Sequence, residues 1–195
     1  MHPGTLITKL AIILMLGLIV LPGCGRGPDE EATTETVPQE VAEPETLVSL
    51  PLPQTNPDLG LTVAEVPAGF VATYNEDVAI ELADTTRPGL RYSLFVDRPG
   101  LPYRSPSNQE DYEIYIGGYT DGRVIDRGDF DTPFGVAAWA QATYFEEDQS
   151  FEDLRVFVPH PSGSGTVIVV SVCPEGMAPL DDRLDSIKEL VALLE

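Results

Sequence analysis

The sequence predicts an α+β fold, an antiparallel β-sheet meander covered by a C-terminal amphipathic helix. Three observations carry this reading. Apolar residues alternate with a period of two from Val78 onward, turn residues interrupt that alternation at short intervals, and the C-terminal segment switches to helical spacing.

Val78, Ile80 and Leu82 share one face of a half-buried strand, with Asp77, Ala79 and Glu81 on the other. Leu90, Tyr92, Leu94 and Val96 repeat the pattern, bracketed by Arg87-Pro88-Gly89 and Arg98-Pro99-Gly100, which read as turns. Tyr112, Ile114 and Ile116 read as a third strand, and Thr120-Asp121-Gly122 as a hairpin turn into Arg123-Val124-Ile125. Ser107 and Glu110 stand at capping-box spacing, so a short helix competes with that strand. Phe134 to Phe145 carries small residues on both faces, Ala137, Ala138, Ala140 and Ala142, as a central strand covered on both sides does. Leu154, Val156 and Val158, a Pro- and Gly-rich loop over 159–165, and Thr166 to Val172 predict a further hairpin. Short connections of this kind favour antiparallel pairing. Pro179 suits the first helical position, Asp181 and Asp182 suit the first turn, and Leu180, Leu184, Ile187, Val191 and Leu194 form the apolar stripe.

The charge excludes several functions. Eleven Lys and Arg stand against 32 Asp and Glu, a formal charge of −21 over 195 residues, the wrong sign for gripping nucleic acid or anionic lipid headgroups. The acidity also suits a saline habitat. Two Cys and two His exclude a zinc finger, a ferredoxin and a disulfide-stapled scaffold. No cofactor is expected.

Lys9 precedes an apolar run from Leu10 to Leu21, the pattern of a secretory signal. As a helix that run spans roughly 18 Å, short of the ~30 Å hydrocarbon core, which disfavours a permanent transmembrane anchor. The run ends at Leu21-Pro22-Gly23-Cys24, which resembles the lipobox of bacterial lipoproteins. The resemblance implies cleavage between Gly23 and Cys24, a diacylglycerol thioether on Cys24, and a lipid-anchored place in the bacterial cell envelope, at the outer membrane or a periplasm-facing membrane surface. From Gly25 to Thr46 the chain has seven acids, one base and no aromatic residue, a composition too polar to offset its ordering entropy. The expected organisation is a signal peptide over 1–23, a lipidated Cys with a disordered acidic linker over 24–58, and a globular domain over 59–195.

An extended run starting near Val66-Pro67-Ala68-Gly69-Phe70, a meander, and a final helix after Cys173-Pro174-Glu175-Gly176 together resemble the α/β/α sandwich of PsbP and Mog1-type domains. That resemblance implies a non-enzymatic accessory or binding module and supplies no active site to carry over.

Candidate sites are few. His160 is the one histidine after the signal, and Ser164 lies between two strands, not at a nucleophile elbow, so a Ser-His-Asp arrangement is disfavoured. Asp126, Asp129 and Asp131 are clustered, as are Glu146-Glu147-Asp148 with Glu152-Asp153, and either group offers some of the oxygens calcium needs without the spacing of an EF-hand. Cys173 continues a buried alternation and reads as an inert free thiol. Tyr115 and Tyr119, on a strand face with Glu113, are candidate ligand-binding aromatics among Tyr103, Tyr112 and Trp139. The expected function is a non-enzymatic, monomeric, lipid-anchored binding or accessory module for an envelope protein or glycan. The alternatives are an envelope hydrolase using paired carboxylates and a weak calcium-binding surface protein.

Overall fold

The computed structural model describes residues 47–76, 78–98 and 106–195. Gly23 and Cys24, the acidic stretch to Thr46, Asp77 and Tyr103 lie outside the described residues.

The period-two segments form strands that join one antiparallel sheet. In chain order the elements are β1 (Gln54–Asn56), β2 (Leu61–Val63), β3 (Phe70–Glu76), β4 (Ala79–Asp84), β5 (Arg91–Asp97), α1 (Gln109–Ile116), β6 (Thr120–Thr132), β7 (Gly135–Glu146), β8 (Gln149–Pro159), β9 (Thr166–Pro174) and α2 (Leu180–Ala192). The main sheet has seven strands in the order β3-β4-β5-β9-β8-β7-β6, with every pairing antiparallel. It is two meanders, β3-β4-β5 and β6-β7-β8-β9, sealed where β9 pairs with β5. Before Gly60, β1 pairs with β2 in a separate ribbon.

Alternation sorts the side chains onto two faces. Tyr92, Leu94, Leu154, Val156, Val167 and Val169 pack against Leu184, Ile187, Leu190 and Val191 of α2 in the larger core. The intervening residues, Phe157, Ile168, Ala140 and Ala142, meet Tyr112 and Ile116 of α1 in a smaller one. One helix therefore covers each face.

The structure corrects three elements. Residues 112–116 are helical, because Asn108 caps the segment by accepting the Asp111 N–H at 2.9 Å, one residue later than the Ser107 box. Thr120-Asp121-Gly122 is consequently the irregular start of β6, and residues 117–119 carry the chain from helix to strand. A Cβ at Gly122 would run into the Ile116 carbonyl, so only glycine lets the chain turn there. β7 is the second strand from the sheet edge, and the middle one is β9. The small residues of β7 leave room for the rings of α1.

Arg183 of α2 is fully buried. Its guanidinium reaches Glu152 Oε2 at 3.2 Å and donates to the Ser171 carbonyl, tying α2 to β8 and β9. Arg183→Ala is expected to cost about 3–5 kcal/mol by leaving Glu152 without its counter-charge. Removing both charges, as Arg183→Met with Glu152→Leu, recovers most of that loss in urea unfolding.

Asp84 ends β4 and organises the turn into β5. It accepts hydrogen bonds from the Thr86 N–H (2.8 Å) and hydroxyl (2.6 Å), and from the Arg87 N–H (3.1 Å) and Nε (2.7 Å). Burial pushes its carboxyl up, but these donors outweigh burial and hold it below its ordinary value of 3.8. A depressed folded value means that this contribution is full above about pH 4 and is lost as the pH falls through the folded pKa. Asp84→Asn is expected to cost about 1–3 kcal/mol at neutral pH and to flatten the acid limb of the stability curve measured by denaturant titration.

Candidate functional site

β8 places Asp153, Arg155 and Phe157 on the α1 face, because residues two apart on a strand point the same way. Arg155 is only 7% exposed. Its Nη2 lies 3.0 Å from Asp153 Oδ2 and its Nε 3.2 Å from Oδ1, a forked pair that neutralises both charges. Burial alone would lower the guanidinium pKa, but the adjacent Asp153 carboxylate raises it, so the arginine stays charged.

Aromatic rings are built over that cation. The Arg155 guanidinium carbon lies 4.9 Å from the Tyr112 ring centre and 4.6 Å from that of Tyr115, both within cation–π reach. Tyr112 Oη donates to the Asp153 carbonyl at 2.9 Å, which fastens α1 to β8. Gln109 Nε2 donates to the Trp139 carbonyl at 2.6 Å, and Arg127 of β6 reaches Glu113 at 3.3 Å. Five contacts thus fix a helix of two turns, too short to be stable alone.

From Tyr115 the rings continue outward. Tyr115 and Tyr119 pack edge to face at 5.4 Å with their hydroxyls 2.7 Å apart. Tyr119 meets Tyr144 of β7 at 4.6 Å, and Tyr144 stacks on Phe151 of β8 at 5.6 Å. Tyr115 is 40% exposed. The sequence pairs Tyr115 with Tyr119 on a strand face. In the structure they are brought together by the end of α1 and the turn after it, and Glu113 leaves them to pair with Arg127.

Beside Tyr144 the surface opens into a cleft of about 770 Å³, lined among others by Asp121, Arg123, Phe145, Ser150 and Glu175. Asp121 sits at φ 53°, in the left-handed region, at the irregular start of β6. Arg123, Thr143, Phe145 and Ser150 of the cleft alternate with Tyr144 and Phe151 along their strands, so the cleft opens on the α2 side of the sheet and the row on the α1 side.

The other candidate residues are not gathered in this way. Asp126 pairs with Gln141 on the α2 side of β6, whereas Asp129 and Asp131 pair with Ala138 and Val136 on the α1 side. Among the described residues no three His, Cys, Asp or Glu side chains form a group that could hold a metal. His160 is buried, its Nε2 3.1 Å from the Leu59 carbonyl, while its Nδ1 accepts the Ser162 N–H at 3.1 Å, so one nitrogen ties the β8–β9 loop to the β1–β2 turn and the other holds the loop itself. Cys173 is buried and free, and burial pushes its thiol up, away from reactivity. The buried carboxylates Asp84 and Asp153 each contact an arginine, and Asp84 is held below its ordinary value, the opposite of what a general acid needs. Arg155 was not singled out in the sequence. Its signal is a long cation inside a strand otherwise rich in Leu, Val and Phe.

The phenols above Arg155 are strained toward protonation. Burial, with the Asp153 and Glu146 charges, pushes Tyr144 up to about 12. The hydrogen bond with Tyr115, then burial, raises Tyr119, and burial raises Tyr112. The folded chain holds these protons after the unfolded chain releases them, so their contribution is full below about pH 10 and lost as the pH rises through the folded values. In a spectrophotometric alkaline titration Tyr112, Tyr119 and Tyr144 are expected to ionise later than free tyrosine, and Tyr144→Phe to remove one late phenol. A single transition at the ordinary value would contradict this.

No protein-family model matches the sequence, and no curated protein matches it. Among solved structures the chain is similar to the Ran-binding protein Mog1p of Saccharomyces cerevisiae, at 9% identity over 69% of this chain and 89% of that one, with a TM-score of 0.46. It is also similar to the cyanobacterial PsbP of Synechocystis sp. PCC 6803, at 13% identity over 74% of this chain and 91% of that one, with a TM-score of 0.41. No residue role is transferred from either.

Proposed function

We propose that this chain is an envelope lipoprotein, acylated at Cys24, whose domain is a non-catalytic binding or accessory module. One structural observation supports the binding role: a half-buried aromatic row whose Tyr115 end is exposed, on a domain whose buried carboxylates Asp84 and Asp153 are each tied to an arginine. The anchor rests on the sequence alone, on Leu21-Pro22-Gly23-Cys24 after its apolar run.

The two halves fit physically. Two or three acyl chains hold a protein firmly where one holds it marginally, each buried CH₂ contributing about 0.8 kcal/mol. Tethering then raises the effective concentration of the module for partners near the membrane, so a modest intrinsic affinity suffices. Among the described residues no helix is long and apolar enough to cross a membrane.

Cys24→Ala is expected to abolish incorporation of labelled palmitate and to leave unprocessed precursor. Mass spectrometry of the wild-type chain should show a mature N-terminus at an acylated Cys24. Labelling that survives the substitution, or a mature chain starting elsewhere with this sulfur unmodified, would overturn the anchor.

A further inference from the structure

We propose that the open edge of the sheet, along β6, binds an extended cationic peptide as an added antiparallel strand. This surface is separate from the aromatic row, so its failure would leave the lipoprotein reading above standing.

The two edges of the seven-stranded sheet are finished differently. At β3 the chain closes the edge with its own preceding segment. The Leu50 N–H donates to the Ala72 carbonyl at 2.7 Å, and Asn75 Nδ2 donates to the Thr55 carbonyl at 3.2 Å and to Gln54 Oε1 at 2.9 Å. β6, at the opposite edge, runs for 13 residues, none of them buried. Thr132 and Gly135 pair directly across a two-residue turn, so Asp126, Gly128, Phe130 and Thr132 aim their backbone groups at β7, while Arg127, Asp129 and Asp131 aim theirs away from the sheet. Asp126 Oδ1 takes the Arg127 N–H at 2.8 Å. Among the described residues the backbone groups of Asp129 and Asp131 have no partner. Unpaired groups in such a row are a template for one more strand.

Charge then selects the strand. The Asp129 and Asp131 side chains are exposed and stand two residues apart on one face. Arg127, the base nearest to them along β6, is drawn to Glu113 at 3.3 Å. An added strand sets alternate side chains directly opposite these two carboxylates, where opposite charges attract and like charges repel. Lys or Arg at every second position meets that requirement, and the net charge of −21 attracts the same peptide from a distance. Charges on an edge ordinarily guard against pairing with another copy. Here they repel an acidic strand and attract a basic one. Any antiparallel register of two β6 strands that sets Arg127 against Asp129 or Asp131 also calls on the Arg127 N–H, which Asp126 already holds.

The test titrates the purified full chain with fluorescently labelled Lys-Val-Lys-Val-Lys-Val-Lys amide, following affinity by anisotropy and the Asp129 and Asp131 amides by NMR hydrogen exchange. Saturable binding that slows exchange at both amides and weakens with added salt is expected. With Lys opposite the carboxylates, the Lys N–H groups face β6 and the Val N–H groups face away. N-methylation of the Lys residues should therefore weaken binding about tenfold or more, and N-methylation of the Val residues should leave most of it. Asp129→Lys with Asp131→Lys should lose the basic peptide and accept its Glu-Val counterpart, with circular dichroism checking the fold; the methylated peptides test the same point on the unaltered chain. The proposal is overturned if no saturable binding is seen, if the Lys-methylated peptide binds as tightly as the parent, or if a peptide of the same composition in block order does so. Slow exchange at Asp129 and Asp131 in the chain alone, together with a dimer in sedimentation, would put a second copy at this edge and also overturn it.

Discussion

The α1 face of this protein depends on a charge placed where an apolar side chain would be ordinary. Arg155 lies in the middle of a sheet, 7% exposed, and is tolerable there only because Asp153, two residues away on the same face, grips it in a forked pair. Once neutralised, the guanidinium becomes a flat surface on which Tyr112 and Tyr115 rest. The short helix α1 is held by what lies beneath it more than by its own sequence. The outward row of rings begins at that helix, so the candidate site inherits its position from the ion pair.

The two faces of the sheet are finished by different means. α2 has thirteen residues and an apolar stripe that buries Leu184, Ile187, Leu190 and Val191. α1 has eight and buries only Tyr112 and Ile116. A helix that small cannot cover a seven-stranded sheet, so the face is completed by large rings from β7 and β8, with alanines at positions 140 and 142 making space under α1. Such a face keeps part of its aromatic surface open to solvent, which a longer helix would have hidden.

Much of the fold was legible because alternation and burial agree. Leu90, Tyr92, Leu94 and Val96 point into the core as the pattern predicts, and so do the buried positions of β8, β9 and α2. The segment at 112–116 misled for a physical reason: positions i and i+4 share a face under a period of two and under a period of 3.6 alike. Tyr112 and Ile116 therefore fit either element, and the residue that decides is Ile114, apolar yet 74% exposed. An exposed isoleucine is not announced by sequence. The row of rings was hidden for a second reason. Tyr115 with Tyr119 is a local pair, but Tyr144, Phe151 and Arg155 join it only through the β7–β8 register, and no spacing along the chain encodes that register.

The scarcity of positive charge sharpens the chemistry of the surface. Eleven basic residues face 32 acids, yet Arg87, Arg155 and Arg183 are spent on Asp84, Asp153 and Glu152 at buried or half-buried positions. Arginine suits that work better than lysine, since its planar fork supplies several fixed donors and it is less strongly hydrated. Eight of the nine basic residues after Thr46 are arginines. Each of these pairs withdraws one acid together with one base, so the exterior keeps the whole excess of acids over bases, 32 against 11 in the chain. Such an exterior repels anionic polymers and anionic headgroups.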